Sequence, residues 1–255
     1  MQKVTRKVAE GIVQITTLDE RWYELSKEGE EPKYIPSVTW ICSYYPKGTA
    51  FYKWLANKGW DESVAIKEAA GNRGNKVHAA IADLIAGYEV KIDDRYINRD
   101  SGEMEELTVE EYRGIMSFVG WHKKVNPVYL ATEKSHISEE LNCAGTIDLE
   151  CEIVNPKTKK AERWIIDLKT SAYIWPEHEL QVSAYKHIRN VDYKLGILQV
   201  GFKRNKAGFK FTEVEDKFDI FMAAQDIWHN ETKNVKPLQR DYPEVLTLNI
   251  GGDDV

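Results

Sequence analysis

Two apolar stretches, residues 143–154 and 161–170, flank a polar turn and dominate the hydrophobic pattern of the chain. From Cys143 to Tyr185 the sequence reads CAGTIDLECEIVNPKTKKAERWIIDLKTSAYIWPEHELQVSAY. Such runs bounded by turn residues predict strands. A hairpin folding about Lys157 and Thr158 pairs residues whose numbers sum to 315. That register sets Asp148 opposite Asp167, and Thr146 opposite Lys169. Directly opposed carboxylates stand about 4.5–5.5 Å apart at Cβ and repel. Inside a segment as apolar as Trp164-Ile165-Ile166 the pair needs a partner, and a divalent cation supplies one.

The rest of the pattern predicts the surroundings. Residues 11–25 alternate weakly around Asp19-Glu20, which reads as an N-terminal hairpin. Ser37 caps a short helix beginning at Val38, and further helices span 48–58 and 61–70. Gly71-Asn72-Arg73-Gly74 predicts a break, followed by a helix through Ala86 with Val77, Ile81, Leu84 and Ile85 as its apolar stripe. The polar stretch 92–106 reads as a mobile surface connection, and Thr108 to Glu111 as a capping box opening a helix to Val125. Strands are expected at 128–137, 193–200 and 209–212, with helices at 176–189, started by Pro176, and at 216–232. The fold class is α/β, a mixed central sheet flanked by helices. One domain covers 1–250, with a hairpin extension (1–35), a helical part (36–126) and a sheet core (127–235); residues 251–255 form a flexible tail.

Composition narrows the function. At 255 residues, 42% apolar and 30% charged, the chain has the balance of an ordinary globular protein. No run of about 18 apolar residues and no apolar signal core at MQKVTRKVAEG are present. A cytoplasmic location without membrane contact follows as the expectation. Cys42, Cys143 and Cys151 lack CxxC spacing and cannot supply four thiolates, which argues against zinc and iron–sulfur sites and for reduced, buried thiols. The net charge of −6 does not itself suggest a nucleic-acid partner. Basic residues nevertheless cluster twice, at Lys157, Lys159, Lys160 and Arg163, and at Lys203, Arg204, Lys206 and Lys210. Either cluster alone is more simply a solvated turn.

Each candidate residue has a bland alternative. The tripeptide Asp167-Leu168-Lys169 is one of at least six Asp/Glu-x-Lys occurrences, and only its place in an apolar strand singles it out. Its alternative is an internal salt bridge. Asp148 follows Gly145, which permits close backbone approach, though a bulge glycine beside an edge aspartate fits about equally well. Glu133 is brought alongside by a turn near Glu139-Glu140, or else faces solvent. His78 shares a face with Ile81 and Ile85, the usual place of a core histidine, yet beside carboxylates it suits a mixed oxygen/nitrogen site. Gln181 and Tyr185 stack as an i, i+4 pair, which is usually surface.

In order along the chain, Gly74…His78, Gly145…Asp148, Asp167-Leu168-Lys169 and Gln181…Tyr185 resemble the motifs of the PD-(D/E)XK nuclease superfamily, RecB-like exonuclease branch. Glu133 fits an additional glutamate found one strand earlier in many members. The resemblance covers about residues 36–190, and Ile35 to Thr39, Pro46-Lys47-Gly48 and Trp54 are similar to the mitochondrial genome maintenance exonuclease group and its bacterial and phage relatives. A proline usual before the first aspartate is replaced by Thr146-Ile147.

The resemblance implies the restriction-endonuclease-like core and a Mg²⁺- or Mn²⁺-dependent DNA exonuclease with one or two ions. It implies that His78, Asp148, Asp167 and the Leu168 carbonyl hold a cation, with Glu133 sharing a second. Lys169 would position or help deprotonate the attacking water, and Gln181 and Tyr185 would orient the lysine or the strand. Arg73, Ser37, Thr39, Thr170 and Ser171 are candidate phosphate contacts, and Trp40, Tyr44 and Tyr45 candidate base-stacking residues. The implied substrate is single-stranded DNA or overhangs, with a single-strand annealing or binding protein as a further partner. A phage or mobile-element recombination role would place the chain in the host cytoplasm. The rivals are a duplex-digesting 5′–3′ exonuclease, a structure-specific endonuclease and a non-catalytic nucleic-acid-binding module.

Overall fold

The N-terminal segment continues past the expected hairpin into a four-stranded antiparallel sheet. Its strands, in spatial order, are β1 (Val4–Ala9), β2 (Ile12–Thr16), β3 (Arg21–Leu25) and β4 (Lys33–Pro36). A computed structural model describes residues 4–17, 20–98, 102–233 and 236–237. Asp19 of the expected turn and the tail 251–255 lie outside the described residues. After β4 come α1 (Val38–Cys42), α2 (Thr49–Lys58) and α3 (Trp60–Ile85). A small ribbon, β5 (Arg95–Ile97) with β6 (Met104–Glu106), leads to α4 (Val109–Val125). The remaining elements are β7 (Val128–Ser138), β8 (Cys143–Val154), β9 (Ala161–Lys169), α5 (Pro176–Arg189), β10 (Lys194–Val200), β11 (Phe209–Val214) and α6 (Phe218–Thr232).

Strands β7–β11 form a five-stranded mixed sheet in the order β11-β10-β9-β8-β7. Only the β9–β10 pair is parallel; the other three ladders are antiparallel. Ile165 packs with Leu180, Val182, Ala184 and Tyr185 of α5 in one apolar cluster. Ile166 and Leu168 pack with Val77, Ala80 and Ile81 of α3 in another. The alternation of the strand thus buries both faces, one under α5 and one under α3 and α4.

The sequence misplaces a break in α3. No interruption occurs at Gly71-Asn72-Arg73-Gly74; one 26-residue helix runs through it. Glycine inside a helix costs only about 1 kcal/mol relative to alanine. The burial of Val77, Ala80 and Ile81 downstream is enough to carry the helix across. Gly74 lies where a Cβ would sit 3.7 Å from the Thr170 hydroxyl, whereas Gly71 faces open space. Gly71→Ala is therefore expected to stabilise by about 0.5–1 kcal/mol, read as a rise in Tm.

Within the polar stretch 92–106, the described residues include a short antiparallel ribbon of β5 and β6, which the sequence did not predict. Behind it, the α4 capping box forms as anticipated: Glu111 N donates to Thr108 Oγ1 (3.2 Å) and Thr108 N to Glu111 Oε2 (2.7 Å). Oε1 of the same glutamate pairs with buried Lys76 at 3.0 Å, which fixes α3, two residues before His78, against α4. On the other side of the molecule, Trp22 of β3, Trp40 of α1 and Trp228 of α6 meet edge to face, with centroids 5.1–6.1 Å apart. Trp40 is therefore core and not a base-stacking residue, and Tyr44 and Tyr45 pack against the same cluster.

Candidate active site

The β8–β9 register follows the sum of 315, from Val154↔Ala161 down to Leu149↔Ile166, and stops there. Asp148 and Asp167 stand one step beyond, where the two strands part. In place of a backbone pairing, Asp148 Oδ2 accepts the Leu168 N–H at 2.7 Å. Thr146 does not meet Lys169; its hydroxyl is shared with Tyr23 (3.1 Å) and Ser135 (2.8 Å). The ladder ends at the aspartates because a carboxylate has replaced a carbonyl as acceptor.

β7 is distorted at the same level. Thr132 pairs with Leu149 and Lys134 with Ile147, leaving Glu133 across from Asp148 without a ladder bond. Glu133 has φ 49°, a left-handed conformation costing a non-glycine residue about 1–3 kcal/mol. Ile147 and Leu149, two apart in β8, accordingly fall in different apolar clusters. The strand changes faces at Asp148. Such local distortions re-aim a side chain beside functional sites.

His78 reaches this point from α3. Its Nδ1 lies 3.3 Å from Asp148 Oδ1 and 3.4 Å from Glu133 Oε1, and its Nε2 lies 3.1 Å from the Leu168 carbonyl. His78, Glu133 and Asp148 each offer one ligand atom, all within 4.8 Å of one another. Burial alone would lower the His78 pKa, but Asp148 and then Glu133 outweigh it and raise it to about 10. Burial likewise opposes ionisation of Asp148, yet the His78 charge, Lys169 and the Leu168 N–H hold it below the usual carboxylate range. The Leu168 carbonyl, expected among the cation's donors, here receives the imidazole and fixes its orientation, with one lone pair remaining.

At the end of β9 Lys169 Nζ sits 2.6 Å from Asp167 Oδ2 and donates to Gln181 Oε1 at 3.3 Å. Gln181 Nε2 in turn donates to Tyr185 OH at 2.7 Å. Both α5 residues are buried, so the reading of this pair as ordinary surface is wrong. The internal salt bridge that served as the bland alternative is present. It leaves Asp167 Oδ1 buried without a hydrogen-bond partner. Burial pushes the Asp167 pKa up to about 6, with Lys169 opposing and Asp148 adding to the rise. Lys169 is raised despite its burial, because Asp167 and Asp148 face it.

Gly145 has a use of its own here. A Cβ at that position would lie 2.4 Å from Tyr185 Cε1, so the glycine makes room for the tyrosine ring. The Gly145…Asp148 and Gln181…Tyr185 segments are thus packed on each other.

The expected phosphate contacts divide. Ser37 is buried and its hydroxyl accepts the Trp40 N–H (3.2 Å), which removes it from any outward role. Thr39 bonds Ser37 (3.1 Å) and Arg21 (3.4 Å). Arg73 and Thr170 border one small recess between α3, α4 and the ends of β9 and β10, with Arg73 Nη1 3.6 Å from Glu110. Ser171 spends its hydroxyl on the Tyr173 carbonyl (2.7 Å).

One rim residue escaped sequence reasoning. His178, three residues before Gln181 on α5, is pushed down to about 3 by burial, then by Lys169 and Lys47, and so stays neutral. Lys47 pairs with Glu177 in the first turn of α5. The i, i+3 spacing of His178 and Gln181 was the available signal. All three cysteines are free and buried, and burial raises their thiol pKa values.

A cleft of about 690 Å³ opens at the far end of β9. Its Arg163, Lys186 and Lys194 are all engaged by its own carboxylates, Glu152, Asp216 and Glu162 among them, and Asp192 and Glu213 leave the lining acidic, so it offers no free cation to a phosphate. Among the described residues no helix is long and apolar enough to cross a membrane. Compared with known proteins, the chain matches no family model and no curated protein. An α/β fold with a mixed sheet, and a histidine–carboxylate cluster where two strands part, define the class that the geometry describes.

Proposed function

We propose that the chain is a Mg²⁺- or Mn²⁺-dependent deoxyribonuclease with a PD-(D/E)XK core, removing nucleotides from strand ends with a preference for single-stranded DNA or overhangs. One observation carries this reading. Asp167 Oδ1 is a buried carboxylate oxygen with no hydrogen-bond partner, in the strand next to Asp148 and its neighbours His78 and Glu133. A buried unpaired acceptor of this kind calls for a ligand. Three carboxylates and one imidazole are hard and borderline donors that suit Mg²⁺ or Mn²⁺.

Asp148, Asp167, Glu133 and His78 would hold the ion. When bound, it lowers the pKa of a coordinated water and offsets charge on the scissile phosphate. The protein's own groups then have defined tasks. His78 would bind through Nδ1 as neutral imidazole, with Nε2–H kept on the Leu168 carbonyl. Lys169, held in its charged form beside Asp167, would donate to the attacking water and to the phosphate instead of accepting a proton. Gln181 limits the swing of the Lys169 amine, and Tyr185 fixes Gln181.

Calorimetry with Mn²⁺ tests the metal half of the proposal. Asp148→Asn is expected to weaken binding by at least about tenfold. An unchanged affinity would remove Asp148 from the ligand set. The Lys169–Asp167 ion pair favours a second reading, a nucleic-acid-binding module whose inner charges neutralise each other. In that case DNA would bind equally well with Mg²⁺ or with chelator, and no product would form.

A further inference from the structure

The loops that follow β9 and β10 lie side by side at the Lys169 end of the sheet, because β9 and β10 are parallel with Gln199 opposite Lys169. Ligands of open α/β sheets bind beyond such carboxyl ends. The β9–α5 loop holds two aromatic residues with more than half of their surface exposed, Tyr173 (55%) and Trp175 (52%), their ring centroids 5.9 Å apart. From the β10–β11 loop, Arg204 places its guanidinium 4.5 Å from the Tyr173 ring centroid. Lys206 lies two residues beyond Arg204, whereas Lys203, just before it, pairs with Glu110 of α4 at 2.8 Å.

This surface is built. Gln199 Nε2 donates to the Ser171 carbonyl (2.9 Å) and Ser171 Oγ to the Tyr173 carbonyl (2.7 Å), which fixes the loop four residues beyond Lys169. Trp175 forms the N-cap of α5, and its N–H donates to His178 Nδ1 at 3.4 Å. Large apolar rings held rigidly in water have a cost that burial in the core would have avoided. A stacked arginine beside them supplies a cation at the same place.

We infer that Tyr173, Trp175 and Arg204 form a stacking platform for the bases of a single DNA strand running past the Lys169 end of the sheet, with Lys206 meeting its phosphates. Unpaired bases stack on aromatic side chains and arginine planes without regard to sequence, whereas bases in a duplex are already stacked on one another. Of the two basic clusters, only this one fits such a path. Lys157, Lys159 and Lys160 sit at the β8–β9 turn, the opposite end of the strand from Lys169. The assignment rests on the nuclease reading for its purpose but not for its measurement, since strand binding can be followed without cleavage.

The test is fluorescence anisotropy of a labelled 20-nucleotide single strand and of the matching blunt duplex, with full-length Asp167→Asn protein as the background. Adding Tyr173→Ala and Trp175→Ala together is expected to weaken single-strand binding by about 5- to 100-fold and duplex binding by less than about 3-fold. Adding Arg204→Ala alone should reduce the salt dependence of single-strand binding by about one charge. Both aromatic residues are largely exposed, so the melting temperature should stay within a few degrees of the parent. Equal losses on single strand and duplex, or no loss on either, would overturn the platform. Absence of cleavage by the wild-type chain, with selective loss of strand binding in the variants, would sink the nuclease reading and leave the platform standing.

Discussion

Lys169→Ala is expected to slow metal-dependent cleavage of a single strand by about 10²–10⁴-fold while the protein stays folded. The amine is the one cation placed between Asp167 and Gln181, at the end of a strand where it is partly open to solvent. Removing it deletes the donor that would face the water and the phosphate. It also leaves the buried Asp167 carboxylate without its counter-charge, and so raises a pKa that already stands at about 6. Asp167 then tends toward its neutral form, which coordinates a cation poorly. Lys169→Arg keeps the charge but not the compact ammonium, and it should recover little. Single-turnover rates with Mg²⁺ and with Mn²⁺, beside thermal melts of each variant, check both halves. A variant that cleaves at the parent rate would exclude Lys169 from the chemistry.

Gly145→Ala is expected to destabilise the protein by about 1–3 kcal/mol and to impair catalysis as well. The added methyl would meet Tyr185 Cε1 at 2.4 Å and two further ring atoms at 3.2 and 3.3 Å. Tyr185 is buried and its hydroxyl is held by Gln181, so the ring cannot simply rotate away. Either β8 shifts, and with it Asp148 three residues on, or α5 shifts, and with it Gln181. Both routes disturb the site. Thermal melts should show Tm lower by about 2–10 °C. Replacing the ring in a Gly145→Ala/Tyr185→Leu double variant should restore part of that loss without restoring activity. A single variant as stable as the parent would show that the glycine has no packing role.

Much of this was legible in the chain, for identifiable reasons. The β8–β9 register from Val154↔Ala161 to Leu149↔Ile166 could be placed to the residue because a polar turn of fixed centre sets it, whereas the expected pairs beyond it do not form. Helix α5 was equally plain, since Pro176 marks its start and its apolar positions keep helical spacing. The ordered motif residues fall into two groups, His78 with Glu133 and Asp148, and Asp167 with Lys169, Gln181 and Tyr185. Other features were not local properties. The continuity of α3 through Gly71 and Gly74 is decided by burial of its second half, which no glycine count reveals. The left-handed Glu133 and the face change at Asp148 arise from fitting β7 to β8, since glutamate has no intrinsic preference for that conformation. Ser37 caps α1 as its position before Val38 predicts, which leaves it no phosphate role, whereas Trp40 resembled a stacking residue by position and instead completes a tryptophan cluster. The outward-facing aromatics after Lys169 could be identified only from exposure.

The central claim is that Asp148, Asp167 and Lys169 make a metal-dependent phosphodiesterase. It is tested most directly by incubating single strands labelled at one end or the other with wild-type and Asp167→Asn protein, in Mg²⁺, Mn²⁺ or chelator. The account predicts stepwise shortening by the wild type in either metal, none in chelator, and none by the variant although it still binds the strand. Cleavage by Asp167→Asn at the wild-type rate, or wild-type cleavage in chelator, would contradict it.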